Sequence, residues 1–268
     1  MPALPFVVVP TPLGTLTTSS AHAANPVTHL NEFDSIGMTW KATSDDAQFV
    51  RGDFGSAKPV DFLSVVAASV NPAASVMRLR LGASQAAVDG AASYDSGLVL
   101  MVQPAITRAD GLYVAHLELP AIQTYRWWRL DFAGLLGVQL EASAIVLGQK
   151  LVPATWYSAG YEYGVEDMGE IDIGRYGIPE ETPGRIMRTL AFQLGWLSET
   201  DFETKFRPLA ETLGKRRVAF WCFDPTANAY RQNRTYFGWL RPPPVARHTA
   251  TTPDGPRFLK DFEILSMI

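Results

Sequence analysis

The residues of this chain best suited to chemistry are five carboxylates that lie close together, at Glu162, Glu166, Asp167, Glu170 and Asp172. Two carboxylates roughly 5 to 10 Å apart can cleave a glycosidic bond, one as the acid and the other as the base or nucleophile. Carboxylate oxygens also bind calcium, but this segment lacks a DxDxDG-type loop with a terminal glutamate. The glycine-rich setting favours a solvated rim, and a glycoside hydrolase remains an alternative.

Other catalytic and metal-binding patterns are absent from the sequence. The four histidines, His22, His29, His116 and His248, are scattered and form no HExxH or short-spaced pair, which argues against zinc. Cys222 is the only cysteine, so the chain can form no internal disulfide, and its setting in AFWCFD is typical of a small buried hydrophobe. No GxSxG, GxGxxG or GxxxxGK(S/T) motif occurs. We therefore expect no enzyme activity, no metal and no cofactor.

Aromatic side chains are the candidates for binding, and we single out Trp127, Trp156, Tyr161 and Tyr163. Large flat side chains bury much area at low entropic cost, so they are enriched at subunit interfaces and at sugar-binding surfaces alike. In TYRWWRLDFAG, residues 124–134, alternation along a strand turns Trp128 towards the core and Trp127 to the opposite face. We expect Trp127 to pack against protein rather than sugar.

Charge and hydropathy argue against two classes of partner. The formal net charge is −4; residues 1–152 carry 9 basic and 12 acidic side chains, and residues 153–268 carry 14 and 15. Neither half has the basic excess that phosphate-driven nucleic-acid binding requires. No segment approaches the roughly 20 apolar residues of a membrane span. We expect neither nucleic-acid binding through a basic face nor a membrane span.

The elements that must position these residues fall into three segments. Residues 1–36 are rich in Pro, Thr, Ala and Ser without periodicity, which predicts an extended N-terminal arm. Residues 37–152 contain short apolar segments separated by turn residues, a pattern typical of an antiparallel sandwich or barrel. Residues 153–268 predict a mostly antiparallel sheet with one packed helix. The predicted fold is therefore mainly β, a β-sandwich followed by an α+β domain.

One helix is predicted in the second domain. Thr200 and Glu203 fit a capping box, apolar residues follow at helical spacing, and Gly214 stands where a C-terminal glycine cap belongs. Pro208 should kink this helix or divide it in two. The strand before it, RTLAFQLGWL, alternates, and its apolar face consists of Leu190, Phe192, Leu194 and Trp196.

Three segments of the first domain, in this order, resemble the galactose-binding-like, or discoidin-like, sandwich family. They are DFGSAKPVDFLSVVAASVNPAASVMRLRLG at residues 53–82, YDSG at 94–97 and RWWRLDF at 126–132. Together with LGQKLVPATWYSAGYEYGVEDMGEIDIGRYG and the sheet-plus-helix domain that follows, the chain resembles tail-tip or baseplate proteins of long-tailed bacteriophages and prophages. The second domain would then be similar to the tail-tube and distal-tail fold.

This resemblance implies a structural, non-enzymatic virion protein of the tail tip that is assembled in the host cytoplasm. It implies a homo-oligomeric ring, usually six-fold, which joins the tail tube to the distal hub or fibres and contacts tube, tape-measure and baseplate hub proteins. Such a ring needs head-to-tail interfaces, and RTLAFQLGWL and RFLKDFEILSMI are the expected free strand edges. The alternative is a carbohydrate-binding module or host-receptor adhesin that binds a host surface glycan through Trp127, Trp156 and Tyr161.

Overall fold

The computed structural model describes residues 3–102, 113–158, 160–173, 175–177, 179–241, 246–253 and 255–268. The chain divides into two compact units: Met1–Leu151 with Phe220–Thr235 form the first, and Val152–Ala219 with Tyr236–Ile268 form the second. The segment Phe220–Thr235 thus returns to the first unit, whereas the sequence placed it in a continuous second domain. The segment returns through a strand pairing between residues that are far apart in the sequence, and local sequence patterns do not show such a pairing.

The fold is mainly β, as predicted, and the described strand pairs are antiparallel. The strands are β1 (Phe6–Val8), β2 (Thr15–Thr18), β3 (Trp40–Lys41), β4 (Gln48–Ala67), β5 (Val76–Gly82), β6 (Tyr94–Asp95), β7 (Val99–Leu100), β8 (Tyr113–Ala133), β9 (Glu141–Gly148), β10 (Lys150–Leu151), β11 (Glu162–Asp167), β12 (Glu170–Ile173), β13 (Pro179–Thr182), β14 (Ile186–Ser198), β15 (Ala219–Cys222), β16 (Thr235–Leu240), β17 (Ala246–Thr252) and β18 (Gly255–Ser266). The helices are α1 (Gln85–Asp89), α2 (Glu199–Asp201) and α3 (Arg207–Leu213), with a π-helical turn at Phe202–Phe206 and 3-10 turns at Val27–Asn31 and Arg231–Arg234.

The main sheet of the first unit has the strand order β3-β9-β4-β8-β5-β6, with β2 paired to β4 and β7 paired to β5. Strands β4 and β8 are unusually long and pair over most of their length. Their register shifts around Gly55 and again just after Val60, as at a β-bulge. The sequence predicted two short strands for each of them, because the glycine and proline that mark these shifts look like chain breaks.

Alternation along the strands separates an apolar face of this sheet from a charged one. Trp128 and Leu130 are fully buried in the core of the first unit, as predicted, while Arg129 and Asp131 lie on the opposite face and are half-buried. Gly52 pairs with Trp128, and a Cβ at Gly52 would overlap the indole ring. The core therefore requires glycine at this strand position.

The N-terminal segment is part of the first unit, which corrects the prediction of an extended arm over residues 1–36. Strand β1 lies between β10 and β15 in a three-stranded arrangement, and its Phe6 ring lies 5.0 Å from that of Phe62. Leu13 and Leu30 are fully buried in the core, and β2 pairs with β4. The prolines interrupt periodicity but leave enough buried apolar residues to hold the segment in place.

The sheet of the second unit has the order β16-β18-β14-β11, with β17 also paired to β18. The sequence predicted free edges at RTLAFQLGWL and RFLKDFEILSMI. That expectation is wrong, because both β14 and β18 have a strand on each side. Strand β11, with Glu162 and Glu166, lies at the edge instead, and charged side chains are typical of protected edge strands.

Strand β14 departs from strict alternation near its end. Leu190, Phe192 and Leu194 are buried, as predicted, but Trp196 is 65% exposed and Leu197 is buried in its place. The register with β18 shifts between Leu194 and Leu197, and Trp196 adopts a left-handed φ of 56°. A bulge adds one residue and reverses the side-chain faces beyond it, so the prediction for Trp196 is wrong.

The predicted helix of the second unit is present from α2 to α3. Its N-cap is Ser198, whose side chain accepts a hydrogen bond from the amide of Asp201, rather than the predicted Thr200. The π-helical turn ends where α3 begins, and Pro208 lies in the first turn of α3, so the helix is divided near this proline as expected. Gly214 caps the end with φ 51°. Among the described residues, no helix is long and apolar enough to cross a membrane.

Candidate functional site

Three of the four predicted aromatic residues form a continuous row with Tyr157 in the second unit. The ring centroids are 5.3 Å apart for Trp156 and Tyr157, 5.1 Å for Tyr157 and Tyr161, and 5.2 Å for Tyr161 and Tyr163, all with edge-on geometry. Tyr161 is 41% exposed and Tyr163 is 51% exposed. We call these four residues the aromatic ladder. Its rings pack against one another at steep angles rather than forming one flat platform.

Backbone contacts with β14 position the aromatic ladder. The amide of Ser158 donates to the carbonyl of Gln193 at 2.8 Å, and Tyr163 pairs with Leu190 in the neighbouring strand. Tyr163 therefore extends the apolar face of the sheet at its edge, where it is half-exposed. The sequence predicted the exposure of these tyrosines and missed their mutual packing, since Tyr157 was not singled out.

Trp127, the fourth predicted residue, belongs to the first unit and lies on the charged face of β8, as its parity predicted. The Arg126 guanidinium carbon lies 5.8 Å from the centre of its ring, within cation–π range. Arg126 Nε and Nη2 each donate to one carboxylate oxygen of Asp53 at 2.7 Å, and this hydrogen bonding lowers the pKa of the Asp53 carboxyl. Trp127 is half-buried, and its ring contacts the Arg126 guanidinium of its own chain.

The rest of the charged face carries a series of ion pairs. Arg129 donates to Asp89 at 2.7 Å and to Asp131 at 2.8 Å, Arg80 approaches Asp131 at 2.6 Å, and Arg51 also pairs with Asp89. Burial raises the pKa of Asp89, but hydrogen bonding from Arg129 and the charge of Arg51 lower it overall. These pairs fix α1, which carries Asp89, on the sheet and leave the charges largely compensated.

The five carboxylates considered first for catalysis or calcium are spread over two strands of the second unit. Glu162, Glu166 and Asp167 lie on β11, and Glu170 and Asp172 lie on β12. Glu166 forms an ion pair with Arg241, and the other four are exposed. Within the described part of the chain, no group of three or more His, Cys, Asp or Glu residues is arranged to hold a metal.

Strands β12 and β13 form a separate two-stranded sheet that we call the acidic ribbon. Every residue of β12 is exposed, and Ile171 is 73% and Ile173 70% exposed. Ile171 pairs with Glu181, so apolar and acidic side chains stand on the same face. The sequence predicted strands and loops here without identifying a ribbon; the strand-turn-strand pattern EIDI–GRYG–IPEET is the signal that indicates it.

A cleft of about 460 Å³ opens elsewhere on the second unit, lined by Lys215, Trp239, Leu240, Arg241 and Leu265. We call it the basic cleft. Leu240 and Leu265 are buried and form an apolar floor with Trp239. Lys215 begins the exposed run Lys215–Arg217 that follows the helix. The sequence contains this basic run, but only the fold places it beside apolar residues of β16 and β18.

A polar cluster in the first unit, in which Glu118 is exposed and His116 and Lys150 are half-buried, was not predicted. His116 Nε2 lies 3.0 Å from Glu118, and Lys150 donates to the other Glu118 oxygen at 2.5 Å. Burial raises the pKa of Glu118, but hydrogen bonds from His116 and Lys150 lower it to about 2. Burial lowers the pKa of His116, whose Nδ1 has no hydrogen-bond partner among the described residues. Alternation along a strand predicts which residues face the core, but it does not show which charged residues from distant strands will meet.

Cys222, the only cysteine, is fully buried in β15. Burial raises the pKa of its thiol far above the ordinary value, so the neutral thiol is the stable form. A thiolate is the nucleophilic form of cysteine. Cys222 therefore has the properties of a small hydrophobic core residue, as the sequence suggested.

No protein-family model and no curated protein matches this chain. The chain is similar to solved carbohydrate-binding modules, and three of them show the extent of this similarity. Chitosan-binding module 1 of a Paenibacillus sp. IK-5 chitosanase/glucanase is 12% identical, covering 52% of this chain and 97% of its own, with a TM-score of 0.38. The CBM32 of AlyQ, in complex with 4,5-unsaturated mannuronic acid, is 19% identical over 50% of this chain and 92% of its own, with a TM-score of 0.38. The Clostridium perfringens module CpGH89CBM32-5, in complex with GalNAc-β-1,3-galactose, is 11% identical over 53% and 99%, with a TM-score of 0.41.

Proposed function

We propose that this chain is a non-enzymatic structural protein that assembles with further copies of itself. On the basis of the sequence resemblance, we propose that the assembly is a ring in the tail tip or baseplate of a long-tailed bacteriophage. This ring would join the tail tube to the distal hub or fibres. The observation that carries self-assembly is the acidic ribbon. The tape-measure and hub proteins are the further partners that this role implies.

The acidic ribbon supports assembly because it is poorly suited to a chain that works alone. The ribbon continues the β11–β14 pair, since the Met168 amide donates to the Arg185 carbonyl at 3.1 Å, but among the described strands β12 and β13 pair only with each other. A two-stranded hairpin needs a third strand or a packed face for stability in water. Ile171 and Ile173 are 73% and 70% exposed, although isoleucine is among the residues most often buried. Clustered exposed apolar residues bordered by charges mark interaction surfaces. A partner that covers the ribbon would supply the missing packed face and would bury the two exposed isoleucines.

Electron microscopy of the purified protein in negative stain tests this function. We expect closed rings of a single diameter, because head-to-tail contacts between identical chains close when their rotation divides a full turn. The presence of dispersed single chains alone, at micromolar concentration, would contradict the proposal.

Carbohydrate binding is the second candidate, favoured by the exposed aromatic ladder. The rings of Tyr161 and Tyr163 are 41% and 51% exposed, and exposed aromatic rings can stack on a sugar.

A glycan array probed with the wild-type protein and with Tyr161→Ala/Tyr163→Ala tests the second candidate. We expect binding to one class of glycan that the double variant loses. Tyr230→Ala is a matched control, since Tyr230 is a 61% exposed tyrosine outside the ladder. Absence of binding by the wild type, or equal binding by all three proteins, would remove this candidate.

A further inference from the structure

We infer that the acidic ribbon of one copy docks into the basic cleft of the next copy. This inference rests on the proposed self-assembly and names the two surfaces that meet. Both surfaces belong to the second unit, so each chain carries one of each.

Charge complementarity is the first argument for this pairing. Residues 170–182, which include the ribbon strands, contain four acidic residues and one basic residue. The rim of the basic cleft carries Lys215 and Arg241, of which Arg241 is paired with Glu166 of its own chain, and Arg216 and Arg217 follow Lys215 as exposed residues. Within the described residues, Lys215, Arg216 and Arg217 form no ion pair. Complementary charge of this kind selects partners and orients their encounter.

Apolar complementarity is the second argument. Ile171 and Ile173 alternate on one face of β12, which places both side chains on the same side of the ribbon. The cleft offers an apolar floor made of Trp239, Leu240 and Leu265. Its volume of about 460 Å³ falls within the ordinary range for pockets that bury a ligand, roughly 300 to 1,000 Å³. Apolar side chains would enter the floor while carboxylates meet the basic rim.

The exposure of β12 shows that the ribbon does not fill the cleft of its own chain, so the contact that we infer joins two copies. A ribbon that filled the cleft of its own chain would be covered, but every residue of β12 is exposed. Because the two surfaces differ, the contact joins unlike patches of identical chains. Repetition of such a contact gives a closed ring or a filament, whereas a two-fold dimer would pair the same patch with itself.

Cysteine cross-linking tests this contact directly. Cys222 is buried and is the only native cysteine, so an introduced surface cysteine reacts selectively. We expect a short bismaleimide to join Ile171→Cys in one chain to Lys215→Cys in another when the two variants are mixed. A mixture of Val70→Cys with Lys215→Cys is the matched control, since Val70 is 67% exposed and lies in the first unit. A yield equal to that of the control would overturn the inference.

Charge reversal provides an independent test. Glu181→Lys, on the isoleucine face of the ribbon, and Lys215→Glu, at the rim of the cleft, should each raise the concentration needed for half-assembly roughly tenfold or more. A mixture of the two variants should assemble again, because each reversed ribbon then meets a reversed cleft and each native ribbon a native cleft.

The outcomes separate this inference from the proposed function. Wild-type rings whose assembly is unaffected by either reversal would overturn the ribbon-to-cleft contact and leave self-assembly in place. A monomeric wild type that also gives no specific cross-link would overturn both. Loss of assembly in each variant with recovery in the mixture would support the contact.

Discussion

The neighbouring tryptophans Trp127 and Trp128 show how strand parity gives two identical residues different roles. Trp128 is fully buried, and its indole nitrogen lies 3.3 Å from the carbonyl oxygen of Leu13, to which it donates a hydrogen bond. Trp127 lies on the charged face beneath the guanidinium of Arg126. Its partner in this chain is therefore a charged side chain rather than an apolar core.

We predict that Trp128→Ala lowers the free energy of unfolding by about 3 to 5 kcal/mol, because it leaves a large cavity and an unsatisfied carbonyl. Trp127→Ala should cost less than about 1 kcal/mol, since it removes only a partly exposed contact. Urea denaturation of both variants measures the difference. Equal losses for the two substitutions would show that the parity assignment is wrong.

The face of the sheet on which a side chain lies was predictable from the sequence only where the strand is regular. Parity gave the correct faces for Trp128 and for Leu190, Phe192 and Leu194. It failed at Trp196, beyond the bulge, because a bulge depends on the partner strand and not on local alternation. Gly195 within the strand is the one local sign of such an irregularity.

Lys260 is the residue with the clearest dependence on pH. It is 2% exposed, donates to the carbonyl of Phe206 at 2.8 Å, and has its ammonium 5.5 Å from the ring centre of Phe202. Burial lowers the pKa of Lys260 from 10.5 to about 8. Between these values the unfolded chain binds more protons at this position than the folded chain, so the free energy of unfolding rises with pH in that window.

We predict that Lys260→Met removes this rise, which amounts to roughly 1 to 3 kcal/mol, because the cost of burying the ammonium below pH about 8 disappears. Urea denaturation of wild type and variant at about pH 7 and about pH 10 measures it, and the half-buried Lys58 provides the control Lys58→Met. The same dependence on pH in all three proteins would contradict the assignment.

Among the elements, strand β1 differs most from its prediction. Residues 1–36 lack periodicity, yet β1 pairs with β15, more than two hundred positions later in the sequence. Phe6 contacts Phe62 at 5.0 Å between ring centroids, and Phe62 contacts Phe220 at 4.9 Å. A three-residue strand is too short for a period-2 pattern to be recognised, so its place could not be predicted from local sequence.

We predict that Phe6→Ala lowers the free energy of unfolding of the first unit by about 3 to 5 kcal/mol, as for other buried phenylalanines. Thr15→Ala, on an exposed position of β2, should change it by less than about 0.5 kcal/mol. Thermal and urea unfolding followed by tryptophan fluorescence measures both. An unchanged stability of Phe6→Ala would restore the interpretation of this segment as an extended arm outside the core.

The helix of the second unit was predictable because its signals are local. Pro208 and Gly214, which were both predicted, act within a few residues of their position through a missing amide and a left-handed conformation, whereas the N-cap was predicted at Thr200 and lies at Ser198. The acidic ribbon was not identified, because its exposure is a property of the finished sheet. β12 pairs only with β13 among the described strands, and periodicity does not reveal which strands are left outside a sheet.

At the scale of the whole molecule, the two units carry their charge differently. The first unit compensates its outward charges in pairs, such as Arg129 with Asp89 and Arg126 with Asp53. The second unit also contains ion pairs, such as Arg207 with Glu203 and Arg241 with Glu166, but the acidic ribbon and the basic run Lys215–Arg217 lie outside these pairs. The overall charge of −4 conceals this separation, so composition alone does not reveal it.

Sedimentation velocity at micromolar concentration, on the wild type and on Ile171→Asp/Ile173→Asp, tests the central claim that the second unit drives self-assembly through its ribbon. The account predicts one discrete oligomer for the wild type and a folded monomer for the variant, because aspartate removes the apolar contact while the exposed ribbon carries no core residue of the sheet. A wild type that sediments as a monomer, or a variant that forms the same oligomer, would contradict it.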